Sequence, residues 1–156
     1  MQPLNNDEER IANALSPKAP QSPHDARSDR PESDYTLGEF NQNPEGMSLF
    51  ALLREDLATH EGDWLSQGFW AVGVHRFGNW RMGIRNKFLR LPFTVLYKFL
   101  FKWVEWTCGI SLRYTTKVGR RLHIWHHGGM ILGAREIGND VHIRQNTTFG
   151  VARRGE

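Results

Sequence analysis

The sequence predicts an α+β fold in which a helical domain is followed by the start of a parallel β-helix. The first observation is that apolar residues recur every three or four positions between residues 47 and 109, as they do in helices. The second is a six-residue period after Gly109, and a fixed short period is typical of β-helix solenoids. Residues 1–46 carry neither pattern. We therefore divide the chain into residues 1–46, 47–109 and 110–156.

Residues 1–46 are polar and rich in proline. They hold six of the seven prolines, nine acidic and four basic residues, and no Trp. They offer too few large apolar side chains to offset the entropy of ordering the chain, so we predict a disordered leader. The rest of the chain carries 16 basic and 8 acidic residues and suffices for one ordinary domain. A single Cys excludes a disulfide scaffold and favours a reducing compartment, so we predict a cytoplasmic location.

Two helices are predicted in the first part of the helical domain. One follows Ser48, a residue type that suits a helix N-cap, and three polar residues are expected on its outer face: Arg54, Glu55 and Asp56. The other runs from Phe69 to about Trp80, with one apolar side: Trp70, Val74, Phe77 and Trp80 or Arg81. The basic residues of 76–90 are compatible with nucleic-acid binding. No zinc-finger spacing or RNA-binding aromatic signature accompanies them, so we predict a basic helical surface and no nucleic-acid partner.

A third helix is predicted over residues 91–106, the most apolar part of the chain. Pro92 suits its first turn, and Gly109 suits its end. Two lysines, Lys98 and Lys102, lie in the middle of the run, which argues against a transmembrane segment. We expect a helix that is buried on most sides, in part by another subunit. The alternative is a helix on a membrane surface, assisted by nearby basic residues: Arg81, Arg85, Lys87 and Arg90.

The six-residue period involves two runs of apolar residues. The first is Leu112, Val118, Ile124 and Met130, and after a slip of one residue the second is Ile131, Ile137, Ile143 and Phe149. Each step is expected to be a short strand and a turn, with one aliphatic side chain stacked inside. The alternative is a few ordinary strands. At three steps per coil, residues 112–150 supply about two coils, so we expect a β-helix truncated at its C-terminal end.

Histidines and glycines cluster within the repeat. Alternation places Leu122, Ile124 and His126 on one side of the strand, and His123 and Trp125 on the other. No carboxylate or Cys lies at a ligand spacing, so we predict no metal. A histidine can instead remove the proton of a hydroxyl that attacks a thioester, while adjacent glycines let a substrate approach the backbone. The alternative is a polar turn with exposed histidines.

Several motifs in residues 48–156 resemble the serine O-acetyltransferase family of the hexapeptide-repeat acyltransferases. The matching segments are LREDL at 53–57, HRFGNW at 75–80, VGRRLHIWHHGG at 118–129 and IGNDV at 137–141. The resemblance is greatest to the branch associated with exopolysaccharide gene clusters. It implies a helical oligomerisation domain over 47–109 and the start of a left-handed parallel β-helix over 110–156. It also implies assembly as a homotrimer or a dimer of trimers.

The resemblance also implies a reaction, the transfer of acetyl from acetyl-CoA to the hydroxyl of L-serine for cysteine biosynthesis. The family's catalytic histidine aligns with His126, and His127, Gly128 and Gly129 are implied to contact the substrate. Many members have Asp immediately before the catalytic histidine. Trp125 occupies that position here, as is compatible with the exopolysaccharide-associated branch. No coenzyme-binding residue is assigned, because in the family most of that groove comes from later coils, which we expect to lie beyond residue 156.

Two other functions remain open at this point. One keeps the chemistry but changes the acceptor to a sugar hydroxyl, which Trp125 in place of Asp would permit. The other is a non-catalytic oligomerisation or partner-binding module built from the aromatic helices.

Overall fold

The computed structural model describes residues 38–126 and 128–150. Their elements are three α-helices, one 3-10 turn and seven short strands. The helices are α1 (Leu49–Thr59), α2 (Gln67–Trp80) and α3 (Lys87–Cys108), and the 3-10 turn is Arg81–Gly83. The strands are β1 (Ile110–Ser111), β2 (Lys117–Val118), β3 (His123–Ile124), β4 (Met130–Leu132), β5 (Glu136–Ile137), β6 (His142–Ile143) and β7 (Thr148–Phe149). The predicted α+β class, with helices before strands, is confirmed.

Polar side chains cap the helices at their N-terminal ends. Ser48 Oγ accepts a hydrogen bond from the Ala51 N–H at 3.2 Å, which confirms the predicted start of α1. Asn86 caps α3 in the same way, so α3 begins at Lys87 rather than at residue 91. The prediction that Pro92 lies in the first turn of that helix is therefore wrong, since the cap adds a turn before it.

The helix α3 ends at Gly109, as predicted from the sequence. Gly109 adopts a left-handed conformation with φ of 65°, and its N–H donates to the Glu105 carbonyl at 3.1 Å. A residue without a Cβ adopts this conformation at little cost, and the chain then turns directly into β1.

The strands pair in parallel and form three small sheets. Their order is β1-β4-β7 in one sheet, β2-β5 in the second and β3-β6 in the third. Aliphatic residues face one another in the register of the second and third sheets, where Val118 pairs with Ile137 and Ile124 with Ile143. Those partners are 19 residues apart, so the chain returns to the same sheet after two further strands.

The six-residue period slips in a different way from the prediction. Met130, the last residue of the first run, is 1% exposed, as expected. Ile131 and Phe149, also expected inside, are 58% and 36% exposed, so those two expectations are wrong. Leu132 is 1% exposed instead and pairs with Phe149. The step from Ile124 to Leu132 is therefore eight residues long, and the step from Leu132 to Ile137 is five. The extra residues lie in the turn between β3 and β4, where the candidate histidine and glycines are found.

A buried ion pair joins the helices to the strands. Arg76 of α2 and Asp56 of α1 are both 0% exposed, so the prediction that Asp56 lies on an outer face is wrong. Arg76 Nε and Nη2 donate to the Asp56 carboxylate at 2.9 and 3.3 Å. The same guanidinium donates to the carbonyl oxygens of Val118 at 2.9 Å and Gly119 at 2.6 Å. Burial raises the pKa of Asp56, an effect that Arg76 opposes.

Within this chain, α3 is covered on one side only. Its buried residues are Tyr97, Val104 and Cys108. Eight of its large apolar side chains are exposed: Phe88, Leu89, Leu91, Val95, Leu96, Phe99, Trp103 and Trp106. The expectation of burial on most sides is not met by the chain itself. Among the described residues, none of the helices has the length and apolar character needed to cross a membrane.

The predicted leader lies, over residues 1–37, outside the described residues. Its last part, residues 38–46, contacts α2. The Gln42 N–H donates to Asn79 Oδ1 at 3.2 Å, and Asn43 Nδ2 donates to the Arg76 carbonyl at 2.9 Å. These contacts show that the described part of the leader packs on the helical region.

Replacement of Asp56 by Ala should lower the free energy of unfolding by about 3–5 kcal/mol, because it leaves the Arg76 guanidinium buried without its counter-ion. The matched control is Glu55→Ala. Glu55 pairs with Arg120, which is 44% exposed, and the loss of such a surface pair costs less than about 1 kcal/mol. Urea unfolding of the two variants measures the difference. Equal losses would contradict the role assigned to the buried pair.

The burial of His75 leads us to predict that the stability of the fold depends on pH. Its Nε2 lies 2.8 Å from the Thr116 carbonyl and donates to it, while its buried Nδ1 has no hydrogen-bond partner among the described residues. Burial lowers the pKa of His75 to about 3, so the folded state holds it neutral. The unfolded chain takes up this proton first, near pH ~6.5. The resulting stability is complete above that pH and is lost as the pH falls toward about 3.

The measurement compares the wild type with His75→Gln, whose amide can still donate to Thr116. Between pH ~6 and ~4, the difference in unfolding free energy between the two should change by about 1.4 kcal/mol per pH unit. Other titrating groups are common to both proteins and cancel. Parallel stability curves for the two proteins would show that His75 is not held neutral.

Candidate functional site

A polar cleft of about 260 Å³ lies between the start of α2 and the turn after β3. Six residues line it: Asp63, Leu65, Ser66, Gln67, Gly68 and His126. It contains the predicted catalytic histidine. A larger depression of about 510 Å³ lies on α1, but its lining comes from that helix alone and includes none of the predicted site residues.

The candidate base, His126, is exposed at the start of a left-handed turn. Its φ is 63°, and β3 already ends at Ile124, so the expected alternation does not extend to His126. A positive φ is uncommon outside glycine, although His tolerates it better than bulky residues. Gly128 and Gly129 follow with φ of 101° and 49°. The fourth predicted site residue, His127, lies outside the described residues.

Two backbone hydrogen bonds attach this turn to the end of α3. The Gly128 N–H donates to the Cys108 carbonyl at 3.0 Å, and the Met130 N–H donates to the Gly109 carbonyl at 3.0 Å. A Cβ on Gly109 would come within 3.1 Å of the Gly128 Cα. The glycines therefore serve the close approach of two backbone segments, and the contact of Gly128 and Gly129 with a substrate stays a prediction.

The opposite wall of the cleft is held against β3. A Cβ on Gly68 would lie 2.2 Å from the Ile124 carbonyl oxygen, so only glycine permits this approach. The Ile124 N–H donates to Nε2 of His60 at 3.3 Å, and Nδ1 of His60 donates to the Asp56 carbonyl at 2.7 Å. The start of α2 and the strand that leads to His126 are thus fixed relative to each other.

The neighbouring histidines form a stack beside the cleft. His123 stacks on Trp125 with ring centroids 4.0 Å apart, and His60 lies 4.6 Å from His123 on the same measure. Nε1 of Trp125 donates to Nδ1 of His142 at 3.1 Å. Burial lowers the pKa of His60 and of His123, which favours the neutral form of both rings. Within residues 38–126 and 128–150, no cluster of His, Cys, Asp and Glu is arranged to hold a metal ion.

Sequence reasoning missed the carboxylate in the cleft. Asp63 is exposed, and its Oδ1 accepts a hydrogen bond from the Leu65 N–H at 2.9 Å in the turn that precedes α2. Asp63 and His126 are far apart in the sequence, so no local pattern indicates that they share a cleft. The only local indication was the turn between Gly62 and Ser66, which predicts a loop but not what the loop faces. The cleft thus combines an exposed imidazole, a carboxylate and a helix N-terminus.

Comparison with known proteins adds no assignment: no model of a protein family matches this chain, and no curated protein matches it.

The substitution Gly68→Ala should destabilise the protein by about 1–3 kcal/mol or more, because the added methyl meets the backbone of β3. Gly73→Ala in the same helix is the control. There a Cβ would meet only Leu53 Cδ2 at 3.4 Å, and the better helix propensity should stabilise by about 0.5–1 kcal/mol. Thermal unfolding distinguishes the two. A neutral Gly68→Ala would contradict the close contact between α2 and β3.

Proposed function

We propose that this chain is an acetyl-CoA-dependent serine O-acetyltransferase in which His126 is the general base. The observation that carries the proposal is the cleft, which holds the exposed imidazole of His126 together with the Asp63 carboxylate. Such a pair suits an amino acid whose hydroxyl must lose a proton while its ammonium group is held. The motifs that resemble the serine O-acetyltransferase family support the same assignment.

We also propose that the strands are the first coils of a left-handed parallel β-helix. Parallel pairing at separations of 17 to 20 residues supports this, since three six-residue faces make a coil of about that length. Stacked aliphatic residues such as Val118 and Ile137 support it further. A β-helix of this kind would be completed by further coils, and the family resemblance favours a homotrimer or a dimer of trimers in the cytoplasm.

In the proposed reaction, Nε2 or Nδ1 of His126 takes the proton of the serine hydroxyl as its oxygen attacks the thioester carbonyl of acetyl-CoA. The tetrahedral intermediate then collapses, and the C–S bond breaks. The proton on His126 passes to the departing thiolate, so free CoA and O-acetylserine leave. The base is regenerated with no net change in its charge. No cofactor other than acetyl-CoA is required by this sequence of steps.

The walls of the cleft match the charges of serine. The Asp63 carboxylate complements the ammonium group, and the N-terminus of α2 carries the partial positive charge that favours a carboxylate. Ser66 Oγ already accepts from the Phe69 N–H at 3.4 Å, so it acts as a cap rather than as a base. Among the residues that line the cleft, this leaves the imidazole of His126 to act as the base.

The test is release of CoA thiol from acetyl-CoA with serine as acceptor, on this chain and on any longer product of the same reading frame. We expect His126→Ala to lower the rate by about 100-fold or more, the usual contribution of a positioned general base. His142→Gln is the control, because His142 is also exposed but lies outside the cleft lining. Added imidazole should restore part of the activity of His126→Ala alone.

The outcomes separate three functions. Near-normal turnover by His126→Ala would contradict the assigned base. Turnover with a nucleotide sugar but not with serine would replace the acceptor by a sugar hydroxyl. A well-folded assembly that neither binds acetyl-CoA nor releases thiol would indicate the non-catalytic module.

A further inference from the structure

The exposed side of α3 is an apolar surface that the acetyl transfer does not use. Phe88, Val95, Phe99 and Trp106 are 88, 61, 68 and 81% exposed. Phe88 and Trp106 are separated by about five helical turns, so they lie on the same face roughly 27 Å apart. We call these four residues and the helix surface between them the apolar strip. An exposed apolar patch of this extent marks an interaction site.

Apart from Glu105, the charged residues of α3 are basic. Residues 64–104 contain no Asp or Glu, whereas Lys87, Lys98 and Lys102 of α3 are all exposed. Lys102 lies 2.6 Å from Glu105, the first acidic residue after this stretch. With 3.6 residues per turn, the three lysines all lie on one side of the apolar strip, so the surface combines an apolar centre with one cationic edge.

Arg81 does not belong to this surface, although the sequence placed it with the basic residues nearby. It is 5% exposed, and its guanidinium carbon lies 4.6 and 4.4 Å from the ring centroids of Tyr97 and Tyr114. It links α3 to the turn between β1 and β2, where Tyr114 lies. The cations available to a partner are the exposed ones on α3 and Arg85 just before it.

We propose that the apolar strip docks on a bilayer surface that contains anionic lipids, with α3 parallel to the membrane plane. The apolar side chains would enter the boundary between headgroups and acyl chains, and the lysines would lie at the level of the lipid phosphates. Trp103, 38% exposed beside the strip, and Trp106 suit this boundary, because an indole ring is apolar and its N–H is a donor. Lys98 and Lys102 within the helix favour an interfacial position over a spanning one.

A second copy of the chain fits this surface less well. A twofold interface places the same patch against itself, and the exposed lysines of α3 (Lys87, Lys98 and Lys102) would then lie close to their copies, with Glu105 as the only acidic residue of that helix. Residues 1–37 are acidic, but they contain no Phe or Trp with which to cover an apolar strip. An anionic lipid surface provides both the apolar phase and the negative charge.

The experiment is co-sedimentation of the full chain with vesicles of phosphatidylcholine alone and of phosphatidylcholine mixed with phosphatidylglycerol. We expect binding to the mixed vesicles, at least about tenfold weaker binding to phosphatidylcholine alone, and loss of binding at high salt. Tryptophan emission should shift to shorter wavelength when the vesicles are added, as Trp106 leaves water.

Two pairs of variants separate the apolar and the charged contributions. Phe99→Asp should weaken binding to the mixed vesicles by about tenfold or more, whereas Phe50→Asp, at an 82% exposed Phe on α1, should leave it unchanged. Lys98→Glu should weaken it by about tenfold, and Arg144→Glu, exposed on the strand region, should have little effect. Circular dichroism checks that each variant is folded. We expect all four to fold, because the substituted positions are exposed.

Binding lost in Phe99→Asp and Lys98→Glu but retained in both controls would support the proposal. No binding of the folded wild type to either vesicle would overturn it, as would equal effects of Phe99→Asp and Phe50→Asp. An oligomer that Phe99→Asp dissociates, without vesicle binding by the wild type, would assign the strip to self-association. None of these results depends on acetyl transfer.

Discussion

The buried ion pair between Arg76 and Asp56 determines how the helices meet the strands. The removal of two charges from water costs several kcal/mol per ion, and good geometry with further hydrogen bonds is needed to offset that cost. Here the guanidinium finds the carboxylate and also the carbonyl oxygens of Val118 and Gly119. The side chain of Arg76 therefore joins α2, to which it belongs, to α1 and to the end of β2. Any change in the angle between these elements would leave buried polar groups unpaired.

The candidate site depends on the same junction. His60 follows α1 as its C-cap, donates to the Asp56 carbonyl and accepts from the backbone of Ile124. Gly68 brings the start of α2 onto the same strand. The cleft that contains His126 lies next to these contacts, between the start of α2 and the turn after β3. A site on this scaffold is positioned by buried groups that need no contact with a substrate, which is how rigid elements hold a reactive side chain in place.

The sequence predicted elements better than it predicted contacts. Helical spacing, Ser48 and Gly109 located α1 and the end of α3, and the six-residue period located most strands. The period failed at the turn between β3 and β4, where an eight-residue step puts Leu132 inside instead of Ile131. Two apolar residues side by side are equally plausible inward positions, and only strand pairing distinguishes them.

The sequence by itself determined that helices precede short strands, where α1 begins and where α3 ends, and that a histidine would lie at a glycine-containing turn, because propensity, capping and periodicity are local properties of the chain. Only the tertiary structure decided that Asp56 is buried, that Asp63 shares a cleft with His126, and that one side of α3 is left exposed. The physical reason is that the spacing of apolar residues specifies which side of a helix or strand is apolar, but not which other element packs against that side. The cost of burying a charge and the chemistry of a cleft depend on partners far away in the chain.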